Sequence, residues 1–139
     1  MTQYVLDTDH LTLLQRFHSF VMAKVNATPP SEIAITIITA EEQLRGRFSQ
    51  IRRFPTGFEC VNAYRRLRET LDRLKAMTIL DFDIRSELID QSLRRQHPRM
   101  GTQDRRIAAI TLANNCTLIT RNRIHFGQIP NLILEDWSK

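Results

Sequence analysis

The chain has 139 residues, a net charge of +5 at pH 7 and 42% hydrophobic residues. This length predicts a single domain, residues 1–139, with enough chain to bury a core. No apolar run approaches the roughly 20 residues that cross a bilayer. The first residues also lack the basic and long apolar regions of a secretory signal. We therefore expect a cytoplasmic protein with no membrane association.

The basic residues are unevenly divided by type. Only Lys24, Lys75 and Lys139 are lysines among the 20 basic side chains, and the rest are arginines. The planar guanidinium suits phosphates, bases and carboxylates that take two hydrogen bonds at once. This excess of arginine favours a phosphate-rich partner or an acidic protein.

Apolar runs and helical periodicities alternate along the chain. The pattern predicts strands at 3–7, 33–38, 77–82, 117–120 and 132–135. It predicts helices at 10–27, from Thr39 onward, at 56–76, at 84–97 and at 104–115. Because the strand runs are apolar throughout, both faces of the sheet should be covered. The sequence therefore predicts an α/β fold with helices on both sides of a mostly parallel sheet of four to five strands.

Polar residues collect where these strands end. Because right-handed crossovers bring the carboxyl ends of parallel strands to one edge, residues at those ends should meet. The candidates are Asp7, Thr8, Asp9 and His10 after the first strand; Thr39, Glu41 and Glu42 after the second; Thr102 and Asp104 before the fourth; and Thr120, Arg121 and Asn122 after it. Ionised carboxylates this close require a cation, and all-oxygen ligation favours Mg²⁺ or Mn²⁺.

Helix capping explains several of these acids equally well when each is taken alone. Thr39 and Glu42 have the spacing of a capping box, with Thr39 at the N-cap. Asp9 suits the N-cap of the first helix, and Asp104 suits the positive end of its own helix. Capping does not explain why all of these acids converge on one edge of the sheet.

The ordered set of motifs resembles that of the PIN-domain ribonucleases, specifically the VapC-like toxins of type II toxin–antitoxin modules. The motifs are a strand-ending "LDT", then "TAEEQLRG", "DRRIAA" and "TRNRIHF", with "LEDW" close to the end of the chain. The resemblance implies a PIN-like three-layer α/β/α sandwich. It also implies an Mg²⁺- or Mn²⁺-dependent endoribonuclease that cleaves cellular RNA and is inhibited by a cognate antitoxin.

The resemblance assigns catalytic, metal-binding roles to four positions. They are Asp7, Glu42, Asp104 and Asn122, with Glu42 chosen over Glu41 because Gly46 follows it by four residues. The family often has aspartate at the position of Asn122, so this chain has one negative charge fewer there. We expect one metal ion to bind well and a second only with the substrate phosphate. Asp9 stands where many relatives have asparagine, and it would partly restore the charge.

Four further groups are candidates for supporting roles around the acids. Thr8, Thr39, Thr120 and Arg121 follow the strand ends and would hold the metal ligands in place, as Asp9 would. The four histidines are interpreted as surface or packing residues, since no serine or cysteine accompanies His10 as a nucleophile.

Residues 43–75 contain eight arginines, among them Arg45, Arg47, Arg52 and Arg53. These side chains form the solvated face of a helix, guide RNA by charge, or contact the antitoxin, and the sequence does not rank these alternatives. Relatives imply a homodimer, with DNA bound only through the antitoxin.

Two other classes of protein compete with a nuclease. "VLDTD" also resembles the opening of haloacid-dehalogenase-type phosphatases, although they need a lysine late in the chain and none lies between Lys75 and Lys139. The same absence argues against a phosphoacceptor receiver domain. A non-catalytic PIN-like module that binds nucleic acid or a partner is the remaining alternative, since the acid set is incomplete.

Overall fold

The computed structural model describes all 139 residues. The strands are β1 (Tyr4–Leu6), β2 (Ile33–Thr36), β3 (Thr78–Leu80), β4 (Thr117–Ile119) and β5 (Ile133–Glu135). The helices are α1 (Thr8–Gln15), α2 (Ser19–Asn26), α3 (Ile37–Arg53), α4 (Gly57–Lys75), α5 (Ile84–Gln96), α6 (Thr102–Ala113) and α7 (Arg123–Phe126), and a single 3-10 turn covers Pro30–Glu32. Each helix is too short or too polar to cross a membrane.

The five strands form one parallel sheet in the order β3-β2-β1-β4-β5. The central strand β1 pairs with both neighbours, Tyr4 lying opposite Ile33 on one side and Thr117 on the other. This topology confirms the predicted α/β class and the mostly parallel sheet. All five carboxyl ends therefore meet at one edge, with Asp7 directly after the middle strand.

Alternate residues of the strands supply two separate cores. Val5 and Leu118 point into a core made with α5, α6 and α7, whereas the next residues, Leu6 and Ile119, point into a core made with α1, α3 and α4. Successive side chains of a strand leave opposite faces, so both faces must be covered when every position is apolar. The result is the predicted three-layer sandwich.

The predicted helix at 10–27 is two helices, α1 and α2. Phe17 has a φ of 62°, and the N–H groups of Phe17 and His18 return to the carbonyls of Leu14 and Leu13. This is a Schellman motif, whose left-handed position is usually glycine. His18 then caps α2, its Nδ1 accepting from Val21 N–H at 3.4 Å. The continuous helix was predicted because no glycine or proline marks the break.

The second strand also ends earlier than predicted. Thr36 is the N-cap of α3 and its Oγ1 accepts from Thr39 N–H, so Thr39 lies in the first turn of the helix. The β-branched residues Ile37 and Ile38 extended the strand pattern by two positions, but they are helical. The short helix α7 was not predicted, and the remaining boundaries differ from the predicted ones by no more than two residues.

Candidate active site

The three predicted acids line a single open cavity at the carboxyl edge of the sheet. The cavity has a volume of about 430 Å³. Its lining residues are Asp7, Thr8, Asp9, Glu42, Asp104, Arg121, Asn122 and Phe126. They come from the ends of β1 and β4, the first turns of α1 and α6, the second turn of α3, and α7, so segments distant in sequence meet there.

Asp7 is placed by the middle strand. It follows β1 directly, and its backbone N–H donates to Ile119 O at 3.1 Å, which ties it to β4. Its Oδ1 accepts from His10 N–H at 2.7 Å, so Asp7, and not Asp9, is the N-cap of α1. The prediction that Asp9 caps this helix is wrong.

Glu42 is held in the cavity by the hydroxyl group of Thr8. Thr8 Oγ1 donates to Glu42 Oε1 at 2.7 Å and lies 3.0 Å from Thr39 Oγ1. The interpretation of Thr39 and Glu42 as a capping box is wrong, since Thr36 caps α3 and the Glu42 carboxylate turns into the cavity. Glu41, one position earlier, is exposed and binds Arg45 and Gln103 instead.

Neither the Glu42 nor the Asp104 carboxyl group forms a salt bridge within the protein. Burial raises the pKa of the Glu42 carboxyl, and the charge of Asp104 raises it further, although the Thr8 hydroxyl acts in the opposite direction. Burial likewise raises the pKa of Asp104, with a further increase from Asp7 that nearby His125 opposes. This is the electrostatic state expected of carboxylates that bind a cation.

Asn122 is fixed by His125. Asn122 N-caps α7, its Oδ1 accepting from His125 N–H at 3.3 Å, while its Nδ2 lies 2.9 Å from His125 Nδ1. Thr120 is fully buried, does not line the cavity, and accepts the Asn122 N–H at 2.9 Å through Oγ1. Thr120 therefore positions the backbone of Asn122 from the protein interior.

Asp9 is neutralised by Arg121. The Arg121 guanidinium donates to both carboxylate oxygens of Asp9, at 2.7 and 2.8 Å, and this pairing raises the pKa of Arg121. Asp9 therefore does not contribute a free negative charge in place of the one missing at Asn122.

The four arginines predicted to contact RNA or antitoxin have different surroundings. Arg47 is half-buried and donates to Thr70 and Gln50 at 2.9 and 3.0 Å, which joins α3 to α4. Arg45 is exposed and paired with Glu41. Arg52 and Arg53 are exposed at the end of α3, with Arg53 over the Phe54 ring.

The sequence interpretation assigned no role to two side chains that reach the cavity residues from outside. His10 is fully buried, with its ring beside Asp7 and Asp136. His125 contacts Asn122 and lowers the pKa of Asp104. The "LEDW" motif contains Asp136 and could have drawn attention to it. Its contact with His10 could not be predicted, because the two residues are 126 positions apart in the chain.

The donor set fits a hard divalent cation. Carboxylate and amide oxygens are the ligands that Mg²⁺ and Mn²⁺ prefer, and no cysteine lines the cavity. Asp7, Asp9 and His10 have ligand atoms within 4.8 Å of one another, but Arg121 occupies Asp9. Asp7, Glu42 and Asp104 line the same cavity, although their ligand atoms do not all lie within 4.8 Å of one another.

The PIN-domain family model matches residues 4–132. The chain belongs to the PIN-domain family. Ribonuclease VapC2 of Rickettsia felis is 37% identical to this PIN domain over 70 residues, which are 48% of this chain and 52% of that protein. The chain thus aligns with about half the length of this curated relative.

Solved structures extend the likeness over the whole chain. The toxin–antitoxin structure VapBC-1 of nontypeable Haemophilus influenzae matches with a TM-score of 0.78 at 24% identity, covering 99% of this chain and 100% of that one. VapBC2 of Rickettsia felis bound to a promoter DNA fragment matches with a TM-score of 0.76 at 25% identity, covering 98% and 99%. These matches confirm the PIN-like fold. The family match argues against the phosphatase and receiver alternatives, and no lysine lines the cavity.

Proposed function

We propose that this protein is a divalent-metal-dependent endoribonuclease and the toxin of a toxin–antitoxin module. The observation that carries the proposal is the convergence of Asp7, Glu42 and Asp104 on one cavity, with the pKa values of Glu42 and Asp104 raised. The name of the relative Ribonuclease VapC2 supports RNA as the substrate class.

In this proposal Asp7, Glu42 and Asp104 hold Mg²⁺ or Mn²⁺, and Asn122 ligates directly or through water. When bound, the metal lowers the pKa of a water ligand and neutralises charge that grows on the phosphate oxygens. Thr8 fixes the Glu42 carboxylate, and Thr120 and His125 fix the Asn122 amide. Since Asn122 brings no charge, we propose one tight metal site and a second that forms only with the substrate phosphate.

A polar groove next to the cavity supplies a path for the RNA backbone. It has a volume of about 380 Å³, shares Thr8 and Glu42 with the cavity, and contains no hydrophobic lining residue. Arg16, Arg47 and Arg73 lie along it and form no ion pair. A phosphate chain that leaves the cavity along this groove would meet three guanidinium groups.

The proposed partner is a cognate antitoxin. Related structures are VapBC complexes, two of them with DNA bound, which supports an antitoxin and DNA contact through it. Phe58, Val61 and Tyr64 of α4 are 88%, 55% and 56% exposed, which is apolar surface that a partner would cover. We also propose a homodimer and a cytoplasmic location.

A direct assay tests the nuclease. The purified protein should cleave RNA in Mg²⁺ or Mn²⁺ and stop when EDTA is added, and Asp104→Asn, purified in parallel, should not cleave. EDTA-resistant cleavage, or cleavage by Asp104→Asn at the parent rate, contradicts the proposal. Sequencing of RNA ends after induction in cells identifies the target.

One alternative has structural support. Asn122 is engaged by His125 and adds no charge, which favours a PIN module that binds RNA or a partner without cleavage. RNA binding that is insensitive to EDTA, with no cleavage under any metal, would establish this alternative.

The groove has its own test. Arg16→Ala and Arg73→Ala should each raise the KM for RNA and reduce the slope of log affinity against log salt by about 0.7, the value for one single-strand phosphate contact. Arg95→Ala is the matched control, since Arg95 is exposed, unpaired and outside the groove. An equal change in Arg95→Ala would contradict this path.

A further inference from the structure

The imidazole of His10 lies between two carboxylates from opposite ends of the chain. Its Nδ1 is 3.3 Å from Asp7 Oδ1, and its Nε2 is 3.5 Å from Asp136 Oδ1. The side chain has no exposed surface. A fully buried imidazole therefore contacts a candidate metal ligand.

The hydrogen bond from Trp137 defines the tautomer. Trp137 N–H donates to His10 Nε2 at 3.2 Å, so Nε2 is the acceptor and the ring proton is on Nδ1. This N–H faces Asp7 and has no well-aligned partner in the structure. A buried donor left without a partner destabilises the folded state. The fold therefore tolerates an unfavourable group directly beside Asp7.

The Asp7 carboxylate has two different sides. Its Oδ1 already accepts the backbone N–H of His10 at 2.7 Å, and the imidazole lies beside the same atom. Its Oδ2 has no hydrogen-bond partner. The backbone N–H of His10 thus holds Oδ1, with the imidazole beside it, and leaves Oδ2 free to bind a metal ion.

The C-terminal segment Asp136–Ser138 keeps the imidazole in place. Trp137 is 2% exposed and packs on the Tyr4 ring with centroids 5.2 Å apart, so its backbone N–H is anchored next to β1. Asp136 Oδ1 is itself held by Ser138 N–H at 2.8 Å. Residues 136–138 therefore hold the His10 imidazole beside Asp7, on the side of Asp7 away from the cavity.

We propose that His10 is a positioning residue, which orients Asp7 through Nδ1–H for metal binding and is itself oriented by the backbone of Trp137. This inference rests on the proposed metal-dependent function. His10 is not itself a metal ligand in this arrangement, because Trp137 occupies Nε2, Nδ1 carries the proton, and the ring is fully buried.

Two amide variants separate this role from simple packing. In His10→Asn the side-chain NH₂ replaces Nδ1–H and still reaches Asp7, whereas in His10→Gln the amide corresponds to the Nε2 side. We expect Mn²⁺ affinity, measured by EPR titration of the folded protein, to fall about 10- to 100-fold in His10→Gln. In His10→Asn it should stay within about threefold of the parent, with the RNA cleavage rate following the same order.

The control is His18→Leu, which removes the cap of α2 outside the cavity. It should lower the free energy of unfolding without changing Mn²⁺ affinity, so a loss of affinity cannot be ascribed to stability alone.

Other outcomes overturn the inference. Equal Mn²⁺ affinities in both amide variants would remove the positioning role, and a nitrogen hyperfine coupling to Mn²⁺ that His10→Gln abolishes would make His10 a ligand. Failure of the parent to bind Mn²⁺ would refute the proposed function itself and the inference with it.

Discussion

The buried carboxylate of Asp90 and the half-buried carboxylates of Glu42 and Asp104 have different electrostatic surroundings. Asp90 of α5 is completely buried, and Arg105 donates to its Oδ1 at 2.6 Å, with Arg94 Nη2 3.5 Å from Oδ2. Glu42 and Asp104 at the sheet edge receive no such cation, and their pKa values are raised. Asp104 and Arg105 are adjacent in α6, yet Asp104 lines the cavity and Arg105 pairs with the buried Asp90.

The difference distinguishes structure from function. A buried acid with a permanent arginine partner has its charge balanced in every folded molecule. An acid cluster without one is stable only with protons or an exchangeable cation. The comparison therefore predicts that changes in the two groups will have separate effects on stability and on cleavage.

The largest expected effect is on cleavage at the edge cluster. Glu42→Gln should reduce RNA cleavage more than about 100-fold, to the level of the EDTA-treated parent, because loss of a ligand exceeds the roughly 10- to 100-fold cost of losing an outer partner. Glu41→Gln is the adjacent control, and its rate should stay within about twofold because Glu41 lies outside the cavity. Comparable losses in both variants would break the assignment.

The buried pair should govern stability. Asp90→Ala leaves Arg105 buried without its partner and should lower the free energy of unfolding by about 3–5 kcal/mol. Urea denaturation measures this change. Arg94→Ala is the control, since Arg94 is 56% exposed and should cost no more than about 1 kcal/mol. A loss under about 1 kcal/mol in Asp90→Ala would remove the contrast between the two groups.

Bound metal should reverse the effect of Asp104→Asn on the stability of the protein. Raised carboxyl pKa values mean that the folded protein binds protons more tightly than the unfolded chain. Their contribution to stability is therefore present below the ordinary values of 4.5 for Glu42 and 3.8 for Asp104, and it is lost as pH rises through the raised values.

Metal-free Asp104→Asn should thus be more stable than the parent at pH 7, and the difference should shrink as pH falls towards 4. A Mn²⁺ concentration 100 times the Kd should stabilise the parent by about 2.7 kcal/mol and the variant by less. Thermal unfolding with and without Mn²⁺ checks both statements. A parent that is the more stable of the two without metal would contradict the pKa argument.

The smallest expected effect concerns the exposed pair of Asp9 and Arg121. Their side chains are 46% and 50% exposed, so Asp9→Ala should change the free energy of unfolding by no more than about 1 kcal/mol. Mn²⁺ affinity should change little, since Arg121 already balances the Asp9 charge. A tenfold loss of affinity would make Asp9 part of the metal site.

Much of the architecture was predictable because it depends on local pattern. The apolar strand runs predicted five buried strands. Because parallel strands were expected, Asp7, Glu42 and Asp104 were predicted to share the edge formed by the carboxyl ends of the strands. The cavity contains all three. Their catalytic and metal-binding roles remain predictions.

The differences arose where specific contacts in the folded chain overrode the apolar pattern. Phe17 takes a left-handed conformation without a glycine, and Ile37 and Ile38 are helical although β-branched. Arg47 belongs to a predicted charged patch, yet it joins α3 to α4 through Thr70. The first two cases depend on hydrogen bonds at helix ends, which apolar periodicity does not reveal, and the third depends on a contact between two helices.

The sequence by itself determined the layers of this protein and the edge at which its acids meet, because hydrophobic periodicity is local and the carboxyl ends of parallel strands share one edge. Only the tertiary structure decided which acids are balanced: Asp9 by Arg121, 112 positions away, and Asp90 by Arg105, with Glu42 and Asp104 left free. It also decided that Trp137, 127 positions from His10, positions the imidazole beside Asp7. Charge compensation depends on distances of a few ångströms between folded elements, and these exist only after the core has packed.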